Sequence, residues 1–285
     1  MEELIPTIAR ALADLSSQKA VQPVRMVLPV ADYNGFFGVM PAYNGALGAK
    51  VVTFYPQNKD QHTHHGMIML FRPQTGEPLA VMDGRLITEM RTAAASAVAT
   101  DLLARQDTEV LAIIGSGVQA HSHLEALACV RKFCEVRVWS PTNAKAFADT
   151  HDGVDVAPTA AEAVRGADVI VVATSSKTPV LDGRWLSPGV HINAVGANRP
   201  DWRELDDATL AASKIFVDSR EAAVVESGDV IAAGRIFGEI GEVVAGVLPG
   251  RESENEITLF KSLGAAVEDI AAADLVYQKA RLANV

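Results

Sequence analysis

The stretch EVLAIIGSGVQAHSHLEAL, from Glu109 to Leu127, decides the fold predicted for the second half of the chain. It begins as an apolar run typical of a buried strand, passes through Gly-Ser-Gly and continues with helical character. In this G-x-G-x-x-A pattern the first glycine permits a tight turn, and the second lets backbone amides approach a pyrophosphate. We therefore predict a dinucleotide site, with a purely structural turn as the alternative, at Gly115, Ser116, Gly117, Val118 and Gln119.

The segments that follow this loop alternate between strand and helix patterns. Strands are predicted for EVRVWS, DVIVVAT, HINAVGA and KIFVDS, with helical segments between several of them. Such alternation is typical of a parallel, doubly wound sheet. The predicted fold class is therefore α/β, with a Rossmann-type domain over residues 108–251.

The segment before this loop has a different pattern of predicted secondary structure. A predicted helix, LIPTIARALADLSSQ, is followed by five strand-like runs from VRMVLPV to PLAVMDG, the last two forming a hairpin that turns at Gln74-Thr75-Gly76. At the end of the chain, TLFKSLGAAVEDIAAADLVYQKARL predicts a long amphipathic helix that packs back on this block. Residues 1–107 and 252–285 are thus predicted to form one discontinuous α+β domain.

Composition excludes several functional classes. The 285 residues carry a net charge of −10, which disfavours a general surface for nucleic acid or anionic membranes. The longest apolar runs are too short to span a bilayer, and the N-terminus has acidic residues and no apolar signal region. Cys129 and Cys134 form no CxxC pair, so we expect buried free thiols and a cytoplasmic protein.

The end of the second Rossmann strand bears on the choice of cofactor. An acidic residue there would bind the ribose of NADH, but this chain has Ser140, Pro141, Thr142 and Asn143. Hydroxyl groups, backbone amides and the nearby Lys145 can instead bind a 2′-phosphate, which favours NADPH over NADH. The alternative is that these residues cap the next helix.

Three cations stand out in the first block. Arg25 and Lys50 lie in apolar strand-like runs, where an unpaired charge is costly, and Arg91 lies near the start of a helix. Each could point outward or pair with an acid elsewhere. Together, in an acidic protein, they indicate a pocket for a carboxylate, because a guanidinium binds a carboxylate through two parallel hydrogen bonds.

At this point the sequence resembles the ornithine cyclodeaminase/μ-crystallin family, and its ketimine reductase type in particular. The resemblance covers nearly the whole chain and rests on QPVRMVLPV, GVMPAYNG, KVVTFYP, AVMDGRLITEMRTAAASAVAT, GSGVQAHSH, INAVGANRPDWRELD, VDSREAAVVESGDV and FKSLGAAVEDIAAA. It implies a homodimer, a substrate-binding and dimerisation domain beside the Rossmann domain, and an active site in the cleft between them. The family usually has an extra strand and part of a helix before the point where this chain begins, and Pro141 stands where NADPH-using relatives often have an arginine.

The resemblance also implies residue roles. Arg25 and Arg91 would bind a substrate carboxylate. Lys50 would also bind this carboxylate and would supply a proton near the imine nitrogen. Cyclodeaminases and alanine dehydrogenases of the family have an aspartate where this chain has Asn198. Because an amide cannot take up a proton, Asn198 favours reduction of a preformed C=N bond over deamination, although a turn residue is the alternative. Further family positions near the cleft are Glu226 and Ser262 for substrate, each with a structural role as the alternative, and Thr63 and His64 for cofactor. Thr174 at the end of a predicted Rossmann strand, Thr92 beside Arg91, and Val195 are also predicted to contact the cofactor.

Two other groups of residues are given simpler interpretations. His62, His64 and His65 form a cluster without a matched ligand set elsewhere, so we predict no metal site. The charged residues of NRPDWRELD and FKSLG are expected to cap and solvate helices.

The expected function is an NADPH-dependent ketimine reductase, with NADH possible. It would convert 2-imino carboxylates, cyclic ones such as piperideine- or pyrroline-2-carboxylate foremost, to L-amino acids, and linear imines stay open. The alternatives are an amino-acid dehydrogenase or ornithine cyclodeaminase, and a non-catalytic thyroid-hormone-binding protein. The predicted partners are the small substrate and a second copy of the chain, with neither nucleic acid nor membrane.

Overall fold

A computed structural model describes residues 1–283 of the chain. Its first sheet is an antiparallel meander of five strands in sequence order. The strands are β1 (Met26–Val30), β2 (Gly35–Tyr43), β3 (Leu47–Phe54), β4 (His64–Phe71) and β5 (Pro78–Asp83). The predicted β4–β5 hairpin is present, and Gly76 adopts a φ of +75° at its turn, a conformation that glycine adopts without steric cost.

Three long helices cover this sheet and link it to the rest of the molecule. They are α1 (Leu4–Ser16), α2 (Gly84–Leu103) and α10 (Ala266–Leu282). Helix α10 lies against β2, β3 and β4, while α2 is in contact with α1, with α10 and with the helix over Val118–Ala128. The alanine run of α2 explains its central position, because Ala93, Ala94, Ala95, Ala97 and Ala99 are fully buried and their small side chains allow close approach.

The second sheet has eight parallel strands in the order β12-β11-β13-β10-β9-β6-β7-β8. The strands are β6 (Val110–Ile114), β7 (Glu135–Trp139), β8 (Val154–Val156), β9 (Val169–Val172), β10 (His191–Ala194), β11 (Ser213–Val217), β12 (Gly238–Glu239) and β13 (Ile257–Lys261). The helices between them are α3 (Val118–Ala128), α4 (Ala144–Ala148), α5 (Ala160–Val164), α6 (Asp207–Ala212), α7 (Arg220–Glu226), α8 (Gly228–Ala233) and α9 (Ile240–Val244). The chain runs outward from β6 to β8 and returns to β9 beside β6, so the strand order reverses between β6 and β9. In doubly wound sheets, ligands bind at such a reversal, beyond the carboxyl ends of the strands.

Strand β13 corrects the sequence-based prediction. The segment from Thr258 was predicted as the start of the last helix, but Ile257–Lys261 is a strand between β10 and β11 and the helix begins only at Ala266. The strand therefore lies in the second sheet, inside the range 252–285 that was predicted to belong to the first block. Its Thr258, Leu259 and Phe260 are buried, because both faces of a central parallel strand are covered.

Two further sequence-level expectations concern the surface. Cys129 and Cys134 are free thiols, but both are exposed, so the prediction of buried cysteines is wrong. Cys129 follows directly after the last residue of α3, and Cys134 lies in the loop before β7, where solvent reaches both side chains. None of the helices described within residues 1–283 combines the length and apolar character needed to cross a membrane.

Candidate active site

A cleft of about 420 Å³ lies between the carboxyl ends of β6, β9 and β10 and one face of the first sheet. Most of the residues predicted for the site line this cleft. They are Arg25, Lys50, Thr63, His64, Arg91, Thr92, Val118, Gln119, Thr174, Val195, Asn198 and Ser262. Outside its lining are Gly115, Ser116, Gly117, Ser140, Thr142 and Glu226; the first five follow β6 and β7, and Glu226 pairs with Arg25.

The glycine loop has the geometry that a dinucleotide needs. Gly115 follows β6 with a φ of +115°, and a Cβ atom there would lie 2.3 Å from the carbonyl oxygen of Ala173. A Cβ at Gly117 would meet no atom within 4 Å, so this position opens onto free space at the start of α3. Ala120 is fully buried where α3 contacts the sheet. The loop therefore keeps one glycine for the turn and one for access, which fits a pyrophosphate at the N-terminus of α3.

The loop after β7 has no acidic residue at the strand end. Asn143 is the N-cap residue of α4, but its side chain makes no capping hydrogen bond. Lys145 is exposed and forms only a surface ion pair with Asp149 at 3.2 Å. Ser140 is half-buried and Thr142 is exposed, so no acidic side chain stands between this strand end and a 2′-phosphate.

Along the cleft face of the first sheet, the side chains change from charged at one end to aromatic at the other. Alternation along β3 places Lys50, Val52 and Phe54 on this face, because side chains two residues apart point the same way. The strand register puts Met40 beside Lys50 and Gly38 beside Val52. The middle of the cleft floor is therefore formed by Gly38 and Val52, between a cationic end and an aromatic end.

The aromatic end connects the two sheets. Phe54 stacks on His64 with ring centroids 4.3 Å apart and meets Trp202 edge-on at 6.0 Å. The Arg199 guanidinium lies 4.1 Å from the ring centre of Phe36. His64 retains some solvent contact, but burial by the cleft walls, together with Lys50, lowers its pKa to about 4, so its imidazole is neutral at pH 7.

Buried acids hold two of the three cations at the other end. Arg91 donates from Nη1 to Glu268 and from Nε to Asp269, both at 2.8 Å. Lys50 Nζ lies 3.1 Å from the same Asp269 oxygen. Burial lowers the pKa of Lys50 to about 8, with Arg91 adding to the shift and Asp269 opposing it. Burial alone would raise the pKa of Asp269, but Arg91 and Lys50 hold it below its ordinary value.

Arg25 completes the cationic end from just before β1, outside the strand that was predicted to contain it. Its Nε lies 2.8 Å from Glu226, and its Nη2 donates to the backbone oxygens of Leu263 and Gly264 at 2.7 and 3.0 Å. Each cation thus pairs with an acid, as the alternative interpretation held. The structure also brings all three to one end of the cleft, as the pocket interpretation requires.

A second buried network supports the opposite wall of the cleft. Glu204 is fully buried and accepts hydrogen bonds from the backbone amides of Thr174, Gly196 and Ala197, each at 2.8 Å. Lys261, also fully buried, lies 3.9 Å from Glu204 and 3.6 Å from Asp229. The prediction that the charges of NRPDWRELD and FKSLG only cap and solvate helices is therefore wrong for Glu204 and Lys261, which fix the ends of β9 and β10.

Two buried polar atoms face the cleft without a partner among residues 1–283. They are Oε1 of Gln119, beside the glycine loop, and Oγ of Ser262, beside the cationic end. A buried polar atom without a hydrogen bond is costly, so these two atoms fit a site in which a ligand supplies the missing partner. Within the same residues, no group of three or more His, Cys, Asp or Glu side chains is arranged to hold a metal ion.

The sequence analysis missed the acids at the cationic end. Asp218, Glu268 and Asp269 are all buried, and Asp218 accepts hydrogen bonds from the amides of Leu263 and Gly264 at 2.7 Å. One signal was available, because Glu268 and Asp269 open an alanine-rich helix that had to be buried on most sides. Adjacent acids at such a position require cations nearby.

This arrangement, with three cations at one end of a cleft and a glycine loop just beyond the cleft wall, is that of a nicotinamide-dependent oxidoreductase. The comparisons with known proteins identify the family. The chain belongs to the ornithine cyclodeaminase/mu-crystallin family, whose model matches residues 1–284.

The chain is similar to members with different reported activities. It is 51% identical to the ketimine reductase mu-crystallin of Mus musculus, over 96% of this chain and 91% of that protein. The structure of Thermococcus litoralis Δ(1)-pyrroline-2-carboxylate reductase with NADH and L-proline matches with a TM-score of 0.96 at 43% identity, covering 100% of this chain and 94% of that one. An archaeal alanine dehydrogenase dimer with bound NAD matches with a TM-score of 0.94 at 38% identity, covering 100% and 93%.

Proposed function

We propose that the protein is an imine reductase that converts 2-imino carboxylates, cyclic ones such as pyrroline- or piperideine-2-carboxylate, to L-amino acids with NADPH. The observation that carries this proposal is the convergence of Arg25, Lys50 and Arg91 on a cleft that is also lined by Val118 and Gln119, directly after the glycine loop. The names of the mouse and Thermococcus relatives support the same reaction.

The chain's own residues orient the substrate and hold a proton. Arg91 and Arg25 bind the carboxylate, which fixes the adjacent C=N carbon relative to the glycine loop. When bound, the nicotinamide supplies a hydride to that carbon. Lys50 Nζ delivers the proton to the imine nitrogen. With a pKa of about 8, Lys50 is largely protonated at pH 7 and is a better acid than an ordinary lysine.

Asn198 separates this function from the related ones. It lines the cleft beside Val195 and Gly196, at the end of β10. An amide in this position can orient a ligand by hydrogen bonding but cannot accept a proton from an amino group or from water. Reduction of a preformed imine needs no such base, whereas dehydrogenation of an amino acid and cyclodeamination do.

The preference for NADPH rests on the loop after β7. The solved relatives described above contain NADH or NAD, which supports a nicotinamide cofactor in general. For this chain, Ser140 and Thr142 replace the acidic residue that would repel a 2′-phosphate, and the exposed Lys145 is within the same loop and helix start. We expect a lower KM for NADPH than for NADH, measured with the same imine.

We also propose that the protein forms a homodimer. The outer strand β1 exposes Met26, Val27 and Leu28, of which Met26 is 62% and Leu28 59% exposed in the isolated chain. Three large apolar side chains in sequence on an edge strand favour pairing with another protein surface. The dimeric form of the archaeal relative supports a second copy of the chain as that partner.

The test is NADPH oxidation, followed by absorbance, with pyrroline-2-carboxylate and piperideine-2-carboxylate as substrates. We expect turnover with at least one of them, and no ammonia release from ornithine in the presence of NAD. Lys50→Met should lose most of the turnover while NADPH affinity stays near that of the wild type, because Lys50 serves the imine nitrogen. Cofactor binding without oxidation of NADPH by any imine would leave a binding protein, to be tested calorimetrically with an iodothyronine.

A further inference from the structure

Acids outnumber cations at the cationic end of the cleft. The cations are Arg25, Lys50 and Arg91, and the acids that contact or adjoin them are Asp218, Glu226, Glu268 and Asp269. With every group in its ordinary charge state, this set carries a formal charge of −1. Although the cleft lining itself is cationic, this set of groups would therefore be negative before an anionic carboxylate arrives.

Glu268 has little support for its negative charge. Its side chain is fully buried, with one ion pair to Arg91 and one longer hydrogen bond, at 3.2 Å, from the amide of Ala265. Asp269, by contrast, contacts both Arg91 and Lys50. Glu268 also lies near two other acids, Asp218 and Asp269, whose charges repel its own.

Asp218 is better supported, because it accepts hydrogen bonds from three backbone amides, those of Ser219, Leu263 and Gly264. Glu226 lies 2.8 Å from Arg25, but neither of its buried carboxylate oxygens has a hydrogen-bond partner among residues 1–283. It differs from Glu268 in that it pairs with Arg25 and not with Arg91. The charged groups next to Glu268 are therefore Arg91 on α2, Asp218 after β11 and Asp269 on α10 itself. Arg25 and Glu226 lie next beyond Asp218, and Lys50 on β3 lies next beyond Asp269.

We infer that Glu268 takes up a proton when the substrate carboxylate binds, so that carboxylate binding and proton uptake are coupled. The incoming anion is attracted by Arg91 and repelled by the acids behind it. Protonation of Glu268 removes one negative charge from the set and leaves Arg91 free to serve the ligand. No covalent bond changes, and solvent supplies the proton. This inference rests on the proposed function, because it takes a small carboxylate as the ligand.

The electrostatic surroundings of Glu268 in the free protein favour this assignment. Burial, opposed by Arg91 and reinforced by Asp218 and Asp269, raises the pKa of Glu268 to about 7. A further negative charge beside Arg91 raises it again in the complex. Uptake is therefore expected mainly above pH 7, where the free protein has lost this proton and the complex retains it. Carboxylate affinity should accordingly fall as the pH rises above 7, by up to about tenfold per pH unit.

Isothermal titration calorimetry of the NADPH-bound protein with pyrrole-2-carboxylate tests the inference. This planar acid has no basic amine, so its own protonation does not change near neutral pH. Titrations at pH 7.5 in phosphate and in Tris differ in buffer ionisation heat, and their difference gives the number of protons taken up. For the wild type we expect roughly half a proton or more. Glu268→Gln should bind with uptake close to zero, while retaining the hydrogen bond to the Ala265 amide.

Glu89→Gln is the matched control. Glu89 also lines the cleft, but its ion pair is with Arg85, at 3.9 Å, and its replacement should leave proton uptake unchanged. A binding heat that does not depend on the buffer overturns the inference but not the proposed function. Unchanged uptake in Glu268→Gln overturns the role of Glu268. If that variant does not fold, uptake by the wild type at pH 7.0 and 8.5 decides, because a site on Lys50 alone would give a larger value at 8.5 and almost none at 7.0.

The remaining outcome concerns the proposed function itself. The absence of any binding heat, in a protein shown by fluorescence to bind NADPH, removes the carboxylate site and the inference with it. This result is distinguishable from a failure of the inference alone, in which binding is observed without proton uptake.

Discussion

The two glycines of the nucleotide loop should respond oppositely to the same substitution. Gly115→Ala places a methyl group 2.3 Å from the Ala173 carbonyl oxygen at a φ of +115°, which L-residues rarely adopt. Backbone strain of this kind costs about 1–3 kcal/mol, and the contact with β9 adds to it. At about 2–4 °C per kcal/mol for a chain of similar size, we expect Gly115→Ala to lower the melting temperature by roughly 5–10 °C.

Gly117→Ala should cause neither a steric clash nor backbone strain. The residue has a φ of −83° and a ψ of −172°, a conformation open to any amino acid, and its Cβ would point into free space. The loss of glycine's freedom in the unfolded chain should leave stability unchanged or raise it by about 0.4–1 kcal/mol. The methyl group would instead occupy the space through which a pyrophosphate approaches the backbone. Loss of one hydrogen bond to a charged group, about 1.5–3 kcal/mol, would weaken NADPH binding roughly 10- to 150-fold.

Thermal unfolding without cofactor and fluorescence titration with NADPH separate these effects. The expected pattern is a destabilised Gly115→Ala protein and a stable Gly117→Ala protein with weak binding. A Gly117→Ala variant that binds NADPH like the wild type would refute the placement of the pyrophosphate at this loop. Equal losses of stability in both variants would refute the separate roles assigned to the two glycines.

Two further predictions concern the cationic end and acid stability. Gly264→Ala should raise the KM for the imine at least about tenfold, with NADPH affinity unchanged, because its Cβ would lie 2.5 Å from two nitrogens of Arg91 at a φ of +81°; an unchanged KM in steady-state kinetics would contradict this. Burial lowers the pKa of His123 to about 4, so its stabilising contribution is complete above pH 6.5 and is lost as the pH falls toward 4. His123→Gln should therefore flatten the fall in unfolding free energy over this range by about 1.4 kcal/mol per pH unit, measured by urea unfolding at several pH values; an equally steep fall would show that His123 does not titrate in this way.

The parts of the fold that could be predicted from the sequence are those set by local pattern. The glycine loop lies between β6 and α3 because tight turn, apolar run and helix start are all encoded within about twenty residues. The β4–β5 hairpin likewise depends on a turn sequence that its own strands flank. Strand β13 could not be predicted in this way, since its apolar run joins directly to a helical pattern. Only its pairing with β10 and β11, far away in the sequence, makes Ile257–Lys261 a strand.

The same division between local and distant information applies to the active site. Lys50 was predictable because a cation in an apolar run requires compensation, and Arg91 because it matches a position of the family. Their compensating acid was not, since Asp269 is 219 residues from Lys50 and 178 from Arg91 in the sequence. The error was to treat pairing with acids and binding of a carboxylate as alternatives. Glu268 and Asp269 hold Nη1 and Nε of Arg91, and the cleft still reaches that arginine.

A buried set of charges differs from a single ion pair in what the sequence can predict. One cation predicts one acid, but three cations close together also repel each other, so their site is stable only if acids match them in number. Here the acids exceed the cations by one. The positive charges at this end of the site are therefore already compensated by buried acids before a ligand binds. Carboxylate affinity then depends on how readily the acids give up charge, and not only on how many cations face the cleft. Substitution of an acid behind Arg91 should therefore alter the pH dependence of binding.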